Sequence, residues 1–323
     1  MEYILNPRIG FIGAGSIARF HIEAARAVGF DLYAIGSRPD SKNALSIYQE
    51  YKFTKLLSNI SQISELNLDA IVVITNTENL LPIYNQISSL RVPILIEKPV
   101  VTSINGFSNS MDLDNTNTLV GFNRRFYSSI QDLKSKLNEN SLIKFNWHIS
   151  ELAHLSKSNA LDRIKSVREN SVHVLDLIAY LFGDIDDYSV ERQYDEYGIK
   201  FISAILKFHG GVVGNLSLSF NSPETHKAQI YTGTDVYNLD PIEVLHKYSK
   251  IEIIQPRNDF PLRSYKSVGS KWTIDPVDVK YKPGFFKQYL ELMNMVTSKE
   301  RTIGASLRDA KIALQFAEIL LDS

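Results

Sequence analysis

Cysteine is absent from the 323-residue sequence, and this absence excludes several kinds of chemistry at once. Without thiols the chain has no disulfides, no cysteine nucleophile and no thiolate-bound metal. A net charge of −1 shows no strong excess of either sign. Neither nucleic acid nor a membrane surface is therefore an expected partner.

Long apolar segments are missing as well. No run approaches the roughly 18 apolar residues of a membrane-spanning helix, and Met1 to Pro7 lacks the basic start and apolar core of a signal peptide. A cytoplasmic location is the expectation. The length suggests about two domains, and 44% hydrophobic with 22% charged residues is an ordinary globular composition.

A glycine-rich turn lies close to the start of the chain. An apolar run from Arg8 to Ile12 predicts a strand, the turn reads G-A-G-S-I-A from Gly13 to Ala18, and a helical apolar pattern follows. This context is typical of the G-x-G-x-x-A dinucleotide fingerprint. The same turn could also occur in a doubly wound fold that binds no nucleotide.

Each position of the turn has a physical task if a dinucleotide binds. Gly13 allows the sharp turn, and Gly15 lets a pyrophosphate approach the main chain. Ser16 and Ile17 start the helix, whose free N–H groups and positive end attract phosphates. Ala18 keeps the helix close to the strand.

The second predicted strand ends at a turn without an acidic residue at the position where NAD-binding domains hold the ribose. Ser37 and Arg38 occupy this place. Ser37 could donate to a 2′-phosphate, and Arg38 could pair with it through its planar guanidinium. These residues favour NADP(H) over NAD(H), whereas the alternative for Arg38 is an ordinary surface arginine.

Further β–α alternation follows, with buried strands predicted at 69–76 and 93–96. Thr75, Asn76 and Thr77 lie at the carboxyl end of the first of these, where ligands of open α/β sheets bind. They are candidate cofactor contacts. Capping of the next helix by Thr77 would explain the same pattern without a ligand.

The β–α alternation ends near Gly121, which divides the chain into a Rossmann dinucleotide-binding domain, residues 1–121, and a second domain, residues 122–323. The second half predicts a helix over 167–182, then strands grouped without intervening helices, a hairpin at His209 to Gly211, and two closing helices over 285–297 and 306–321. This pattern indicates an α+β domain with an open, mainly antiparallel sheet.

This sheet alternates apolar and polar residues, and no helix is expected to cover its apolar face. We therefore expect a second copy to cover it, in a homodimer or homotetramer.

Four motifs in this order resemble the glucose–fructose oxidoreductase / inositol dehydrogenase / MocA family. They are the glycine turn, Glu97-Lys98-Pro99, the segment 121–126, and a helix that carries His173 and ends at Gly183. The resemblance implies an NAD(P)-dependent oxidoreductase with substrate bound between the two domains. It also implies that Lys98 and His173 match the family's lysine and histidine.

The chemistry of Lys98 agrees with this resemblance. Oxidising a secondary alcohol needs a base, and burial near a positive nicotinamide lowers the pKa of a lysine into a useful range. Glu97 could orient this lysine or the nicotinamide ring, so both residues are also cofactor candidates. The alternative is a solvated turn lysine.

On the predicted helix, Glu169, His173 and Asp176 lie at i, i+4 and i+7 and share a face. His173 is a second candidate acid or base, oriented by Glu169 or Asp176. A core-edge histidine satisfied by a carboxylate is the alternative, and a metal site is not expected because one helix supplies too few ligands. Glu169 stands where the family has an aspartate, and the usual glycine-rich run before this helix is missing.

Asn123, Arg124 and Arg125 follow the last Rossmann strand, where an arginine could bind a carboxylate or phosphate of the substrate. A structural salt bridge across the domain boundary is the alternative, and one arginine could serve each purpose. Tyr281 is a further candidate substrate contact.

The predicted activity is hydride transfer between nicotinamide and a hydroxyl or carbonyl carbon of a sugar, a nucleotide sugar or another sugar derivative. An imine or tetrapyrrole reductase and a non-catalytic NADP(H) sensor or scaffold remain as alternatives.

Overall fold

The structure is a computed structural model that describes residues 6–107, 111–137, 142–151, 159–272 and 274–322. The chain forms two compact units. The first contains Met1–Phe126, Arg168–Asp176 and Pro276–Glu318, and the second contains Tyr127–Val167, Leu177–Asp275 and Ile319–Ser323. Among the described residues, no helix has the length and apolarity to cross a membrane. The boundary near Gly121 stays a prediction.

The elements are numbered here in chain order. The strands are β1 Arg8–Ile12, β2 Asp31–Gly36, β3 Lys55–Leu57, β4 Ala70–Val73, β5 Ile94–Ile96, β6 Thr118–Val120, β7 Lys144–Glu151, β8 Ile185–Asp195, β9 Gly198–Phe208, β10 Val213–Phe220, β11 Lys227–Tyr231, β12 Val236–Leu239, β13 Leu245–Ile254 and β14 Ser264–Lys271. The helices are α1 Ala18–Val28, α2 Lys42–Tyr51, α3 Thr77–Ile87, α4 Ser128–Leu137, α5 Ala160–Ser166, α6 Val172–Phe182, α7 Pro276–Lys280, α8 Phe285–Thr297 and α9 Leu307–Leu321.

The first unit is built on a six-stranded parallel sheet in the order β3-β2-β1-β4-β5-β6. Phe11 of β1 pairs with Ile35 of β2 on one side and Val72 of β4 on the other. The order therefore reverses direction between β1 and β4, which creates the crevice where open α/β sheets bind ligands. The predicted Rossmann sheet is confirmed, although the short strand β3 was not predicted.

The second unit contains an eight-stranded sheet in the order β14-β13-β12-β11-β7-β10-β9-β8. Strands β7 and β10 run parallel, and the other neighbouring pairs are antiparallel. The predicted open, mainly antiparallel sheet is therefore confirmed. The hairpin at Gly210 and Gly211 is also confirmed, since both have positive φ and the Gly211 N–H donates to Phe208 O.

The apolar face of this sheet is already buried within one chain. Phe145 stacks on Phe182 of α6 at a centroid distance of 4.5 Å, and Phe182 also contacts Phe208. Leu206 and Leu216 on the same sheet are buried. The expectation that a second copy covers this face is therefore wrong, because the end of α6 covers it. The outward face carries polar residues such as Asn146 and Asn215, which hydrogen-bond to each other.

The chain also departs from the sequence prediction at the far edge of this sheet. Strand β12 was not predicted, and no strand was predicted in the segment from Arg257 to Lys271. Instead β14 pairs with β13 over Ser264 to Lys271 in the second unit. Many of its side chains point into solvent, so the apolar alternation that signals a half-buried strand is absent.

Gly214 provides a test of the packing under this sheet. A Cβ at this position of β10 would overlap the ring of Phe145, which is fully buried. Gly214→Ala should lower the free energy of unfolding by about 1–3 kcal/mol because the core has no space for it. Urea denaturation measures this change. Gly233→Ala is the matched control, since no described atom lies within 4 Å of its Cβ position, and equal stability of the two variants would contradict the prediction.

Candidate active site

The glycine turn follows β1 at the carboxyl edge of the parallel sheet. Gly13 has φ of 119°, and a Cβ there would overlap the backbone carbonyl of Ile74, which follows β4. Only glycine fits such a close approach of two backbones at positive φ. The sharp turn expected at Gly13 is therefore present, and its cause is the neighbouring strand as much as any ligand.

The start of α1 leaves space and charge for an anion. No described atom lies within 4 Å of a Cβ built on Gly15, so the protein itself does not require glycine there. Helix α1 begins at Ala18 with no side-chain cap and no acidic residue in its first turn. Its positive end therefore faces open space, and Arg19 turns away to pair with Glu50 at 2.8 Å.

A cavity of about 700 Å³ lies along this edge of the sheet. It brings together most of the predicted cofactor residues: Gly13, Gly15, Ser16, Ile17, Ser37, Arg38, Thr75 and Asn76. It is also lined by polar residues that the sequence patterns did not single out, among them Ser41, Asn43 and Asn79. Ser37 and Arg38 thus share one cavity with the glycine turn, as a 2′-phosphate contact requires.

Helix α3 begins at Thr77, and Asn76 is its N-cap residue. The alternative that Thr77 caps this helix is therefore wrong by one position. Asn76 makes no side-chain capping bond and instead accepts from Asn79 Nδ2, while the Thr75 hydroxyl donates to the Asn76 carbonyl. Thr77 is not among the residues that line the cavity.

Glu97, at the end of β5, connects three elements of the first unit. Its Oε1 lies 3.1 Å from His21 Nε2 in α1, and its Oε2 accepts from the backbone N–H of Lys98 at 3.1 Å. The other ring nitrogen of His21 lies 3.0 Å from the Tyr289 hydroxyl in α8. Burial disfavours the charged form of Glu97, but the His21 hydrogen bond and the nearby positive charges outweigh it, so the pKa of the Glu97 carboxyl lies below its usual value.

Lys98 is held by the main chain of a distant segment. Its Nζ donates to the carbonyl oxygen of Glu169 at 2.8 Å, so it is not a solvated turn lysine. Burial lowers the pKa of Lys98, Glu97 and Glu169 oppose this shift, and the charges of Arg124 and Lys282 reinforce it. A lysine with a lowered pKa can exchange a proton closer to neutral pH than a solvated one.

The predicted helix over 167–182 starts differently from the expectation. Val167–Ser171 form a π-helical turn, and the α-helix begins at Val172. The i, i+4 spacing from Glu169 to His173 therefore crosses a change of helical period, and the shared face expected for Glu169 is not established. His173 packs edge-to-face on Phe122 at 5.8 Å. The backbone carbonyl of Glu169 accepts a hydrogen bond from Lys98 Nζ.

Asp176 is held in a buried ion pair with Arg125. Its two carboxylate oxygens accept hydrogen bonds from Arg125 at 2.6 and 2.8 Å, in a pair that is almost fully buried. Arg125 also lies 3.2 Å from Asp309, whose other oxygen accepts from Ser306 at the start of α9. Burial disfavours the charged form of Arg125, but the carboxylates of Asp176 and Asp309 outweigh this effect, so the pKa of Arg125 lies above its ordinary value.

The three residues after β6 thus have different environments. Asn123 Nδ2 donates to Pro283 O at 2.9 Å, and Arg125 is held by its carboxylates. Arg124 lies between them, and its buried Nη1 makes no hydrogen bond with the described part of the chain. Tyr281 stacks on Phe286 at 5.3 Å. The salt bridge foreseen for one arginine belongs to Arg125, within the first unit.

Sequence reasoning missed three residues of this site. His21 lies within the apolar pattern of α1, and a histidine on an otherwise apolar face is a signal of a buried partner. Tyr289 was not singled out, because a tyrosine on the buried face of the amphipathic helix α8 is compatible with ordinary core packing. Asp309 lies in the predicted closing helix over 306–321, and its pairing with Arg125 depends on tertiary contacts.

Comparisons with known proteins agree with this geometry. Residues 7–121 match the family model described as the GFO_IDH_MocA oxidoreductase family with an NAD-binding Rossmann fold. No curated protein matches the chain by sequence.

Solved structures share the fold over nearly the whole chain. A dehydrogenase from Clostridium difficile has a TM-score of 0.77 at 18% identity, covering 98% of this chain and 99% of its own. A UDP-N-acetylglucosamine 3-dehydrogenase from Acidithiobacillus ferrooxidans has a TM-score of 0.74 at 16% identity, with 98% and 97% covered. A levoglucosan dehydrogenase in complex with NADH and L-sorbose has a TM-score of 0.79 at 14% identity, with 99% and 97% covered.

The fold, the glycine turn and the family match define a dinucleotide-binding oxidoreductase. Residues 7–121 match the NAD-binding Rossmann domain of the Gfo/Idh/MocA family of oxidoreductases. For this domain the predicted resemblance to the family, the oxidoreductase class and the nicotinamide dinucleotide cofactor are confirmed. The open space at Gly15 and the uncapped start of α1 fit the pyrophosphate of such a cofactor.

The buried Arg125 pair yields a stability prediction. Arg125→Gln should lower the free energy of unfolding by about 3–5 kcal/mol, because it leaves the Asp176 carboxylate buried without its cation. Chemical denaturation at neutral pH measures the loss. Arg19→Gln is the control, since Arg19 and Glu50 form an exposed pair whose contribution is about 0–1 kcal/mol. A loss for Arg125→Gln no larger than for Arg19→Gln would contradict the prediction.

Proposed function

We propose that the protein is an NAD(P)-dependent oxidoreductase that transfers hydride between nicotinamide and a hydroxyl or carbonyl carbon of a sugar, a nucleotide sugar or another sugar derivative. The observation that carries this proposal is the lysine at the end of β5, whose Nζ is held at 2.8 Å by the Glu169 carbonyl. Fold relatives named as UDP-N-acetylglucosamine and levoglucosan dehydrogenases support the substrate class.

Lys98 is the proposed acid and base. In the oxidation direction it takes the proton of the substrate hydroxyl, and in reduction it returns this proton to the oxygen. The nicotinamide, when bound, accepts or donates the hydride. Glu97 and Lys98 would border this end of the cofactor, while the turn from Gly13 to Ile17, Ser37, Arg38 and the segment Thr75 to Thr77 would hold the remainder.

His173 is the proposed second acid or base, and the Glu169 backbone positions Lys98 for the same reaction. The pairing of Asp176 with Arg125 supports a positioning role for Asp176, which anchors the start of α6 beside the strand exit. Asp176 therefore contributes by fixing the backbone around His173 rather than by moving a proton.

Arg124 is the proposed contact for an anionic group of the substrate. Its neighbours Asn123 and Arg125 are held by protein partners, whereas its buried Nη1 has none among the described residues. A carboxylate or phosphate would satisfy this donor through a charge-assisted hydrogen bond. Asn123, Arg125 and Tyr281 are the other proposed substrate contacts.

Two further proposals concern the cofactor and the assembly. Ser37 and Arg38 favour NADP(H), because they share the cavity with the glycine turn and could bind a 2′-phosphate. The fold relatives solved with NAD⁺ and NADH bind the other form, so this preference would be a property of the present chain. A homodimer or homotetramer through the outward face of the second sheet, where Phe201 and Ile205 are exposed beside polar side chains, is the proposed assembly.

A reductase of imines or tetrapyrroles and a sensor without turnover remain the rival functions. The π-helical turn at Val167–Ser171 supports both rival functions, because it lies where the sequence lacks the family's glycine-rich run. A panel of sugars, nucleotide sugars and cyclic imines, followed by NADPH absorbance, separates them. Turnover of imines alone would replace the sugar proposal, and binding of NADPH without turnover of any compound would favour the sensor.

Lys98→Ala should reduce kcat by about 10²–10⁴-fold, because it removes the proposed acid and base. Steady-state kinetics on an accepted sugar measures the change, and NADPH fluorescence shows that the cofactor still binds. Lys207→Ala is the matched control, since Lys207 pairs with Asp187 on the exposed surface of the second unit. A Lys98→Ala variant as active as this control would remove the lysine from the mechanism.

The pH dependence of oxidation follows from the lowered pKa of Lys98. The neutral amine is the active form, so kcat/KM should rise with pH to a plateau, with a midpoint below the ordinary pKa of a lysine. In the reduction direction the protonated form is needed, and the rate should fall over the same range. A pH–rate profile without this ionisation would contradict the assignment of Lys98.

Arg38→Ala should weaken NADPH binding by about tenfold, since it removes one charge-assisted hydrogen bond of about 1.5 kcal/mol, and should leave NADH binding unchanged. Fluorescence titration with both cofactors measures the affinities, and Arg26→Ala, at the exposed far end of α1, is the control. Tighter binding of NADH than of NADPH by the unaltered protein would contradict the proposed preference.

A further inference from the structure

We propose that His21 is a positioning residue for the reaction centre: held by Tyr289, it fixes the Glu97 carboxylate, which in turn fixes the backbone of Lys98. This inference rests on the proposed function of Lys98 as acid and base. His21 lies in the middle of α1, well beyond the glycine turn, and it contacts neither the cavity beside that turn nor Lys98 Nζ in any described interaction.

The geometry forms a continuous series of contacts. The Tyr289 hydroxyl lies 3.0 Å from His21 Nδ1, His21 Nε2 lies 3.1 Å from Glu97 Oε1, and Glu97 Oε2 accepts from the Lys98 N–H at 3.1 Å. An ionised carboxylate can only accept, so Nε2 of His21 carries the proton that faces it. Both nitrogens of the imidazole and both oxygens of the carboxylate are therefore used.

The elements around these contacts hold the imidazole in one orientation. His21 is completely buried, and its ring packs edge-on against Phe285 at 4.8 Å. Helices α1 and α8 pack against each other at this point, so Tyr289 and Phe285 approach the ring from one helix. A histidine that merely filled the core would not require a carboxylate from a strand end as its second partner.

Gly121 supplies independent support for a fixed carboxylate. A Cβ built on this residue, just after β6, would lie 2.7 Å from Glu97 Oε1. The backbone of the neighbouring strand end therefore lies close to the same carboxylate oxygen that His21 contacts. Glu97 consequently has little freedom to choose another rotamer, and its position depends on the hydrogen bond from His21.

The charge on Glu97 matters because the surroundings of Lys98 are rich in cations. Arg124 and Lys282 lower the pKa of Lys98 beyond the effect of burial, whereas Glu97 and Glu169 raise it. Lys282 itself lies near Glu97 and Arg124 and has a pKa lowered chiefly by burial. A fixed, ionised Glu97 therefore keeps Lys98 able to hold a proton, and losing it shifts the balance toward the neutral amine.

The test uses His21→Leu, which removes both hydrogen bonds, and His21→Gln, whose amide N–H can still donate to Glu97. The titration midpoint of Lys98 is read from the ¹³Cε resonance of ¹³C-labelled lysine in the full chain, assigned by its loss in Lys98→Arg. His21→Leu should lower this midpoint by about one pH unit, since one opposite charge within reach is lost or displaced. His21→Gln should titrate close to the unaltered protein.

The pH–rate profile for sugar oxidation provides the second measurement. In His21→Leu the rising limb should move to lower pH by the same amount, with kcat at the plateau reduced by about tenfold or more and restored in His21→Gln. A structural defect alone would lower the active fraction without moving the limb. His209→Leu is the control, because His209 is exposed in the second unit, and it should change neither the midpoint nor the plateau.

Gly121→Ala is a second variant that tests the same proposal if His21→Leu does not fold. Its Cβ would displace the Glu97 carboxylate while His21 stays in place, and it should lower the Lys98 midpoint in the same direction. An unchanged midpoint in the variants that fold would overturn the role of His21. Full activity of Lys98→Ala would instead refute the proposed role of Lys98 as acid and base, and the lysine titration, which needs no turnover, distinguishes the two failures.

Discussion

The arrangement of helices and strands in the first unit depends on pairing the charged side chains that are buried away from water. Glu97 lies at the end of a buried strand, and a carboxylate there is stable only if hydrogen bonds replace its hydration. It obtains them from His21 and from the backbone of Lys98. Because His21 is tied to Tyr289, this one carboxylate connects α1, β5 and α8, so the helix that starts at the glycine turn and the lysine of the proposed chemistry share a common support.

The same constraint organises the second group of charges. Arg125 is buried with Asp176 and Asp309, which ties the strand exit after β6 to α6 and α9. This arrangement leaves the adjacent Arg124 with a buried nitrogen that has no partner among the described residues. One arginine thus stabilises the scaffold, and the next presents an unsatisfied donor. The division of roles follows from which carboxylates the tertiary structure brings near.

Several features could be predicted from the sequence because they depend on local patterns. Apolar runs and the glycine turn indicated the parallel sheet, and α8 was predicted with its observed bounds because its pattern is strongly periodic. Strand β14 could not be predicted, since its exposed side chains carry no apolar alternation. The π-helical turn at Val167–Ser171 was also missed, because the residue types there are compatible with an ordinary helix.

The sequence by itself therefore determined the kind of protein: a Rossmann domain with a dinucleotide turn, followed by an open sheet, with Lys98 and His173 as candidate groups. Those conclusions rest on periodicity and short motifs, which act over a few residues. Only the tertiary structure decided the partners. His21 meets Glu97 across 76 positions, and Lys98 meets the Glu169 carbonyl across 71. Contacts between residues so far apart depend on how helices and strands pack, which no local pattern encodes.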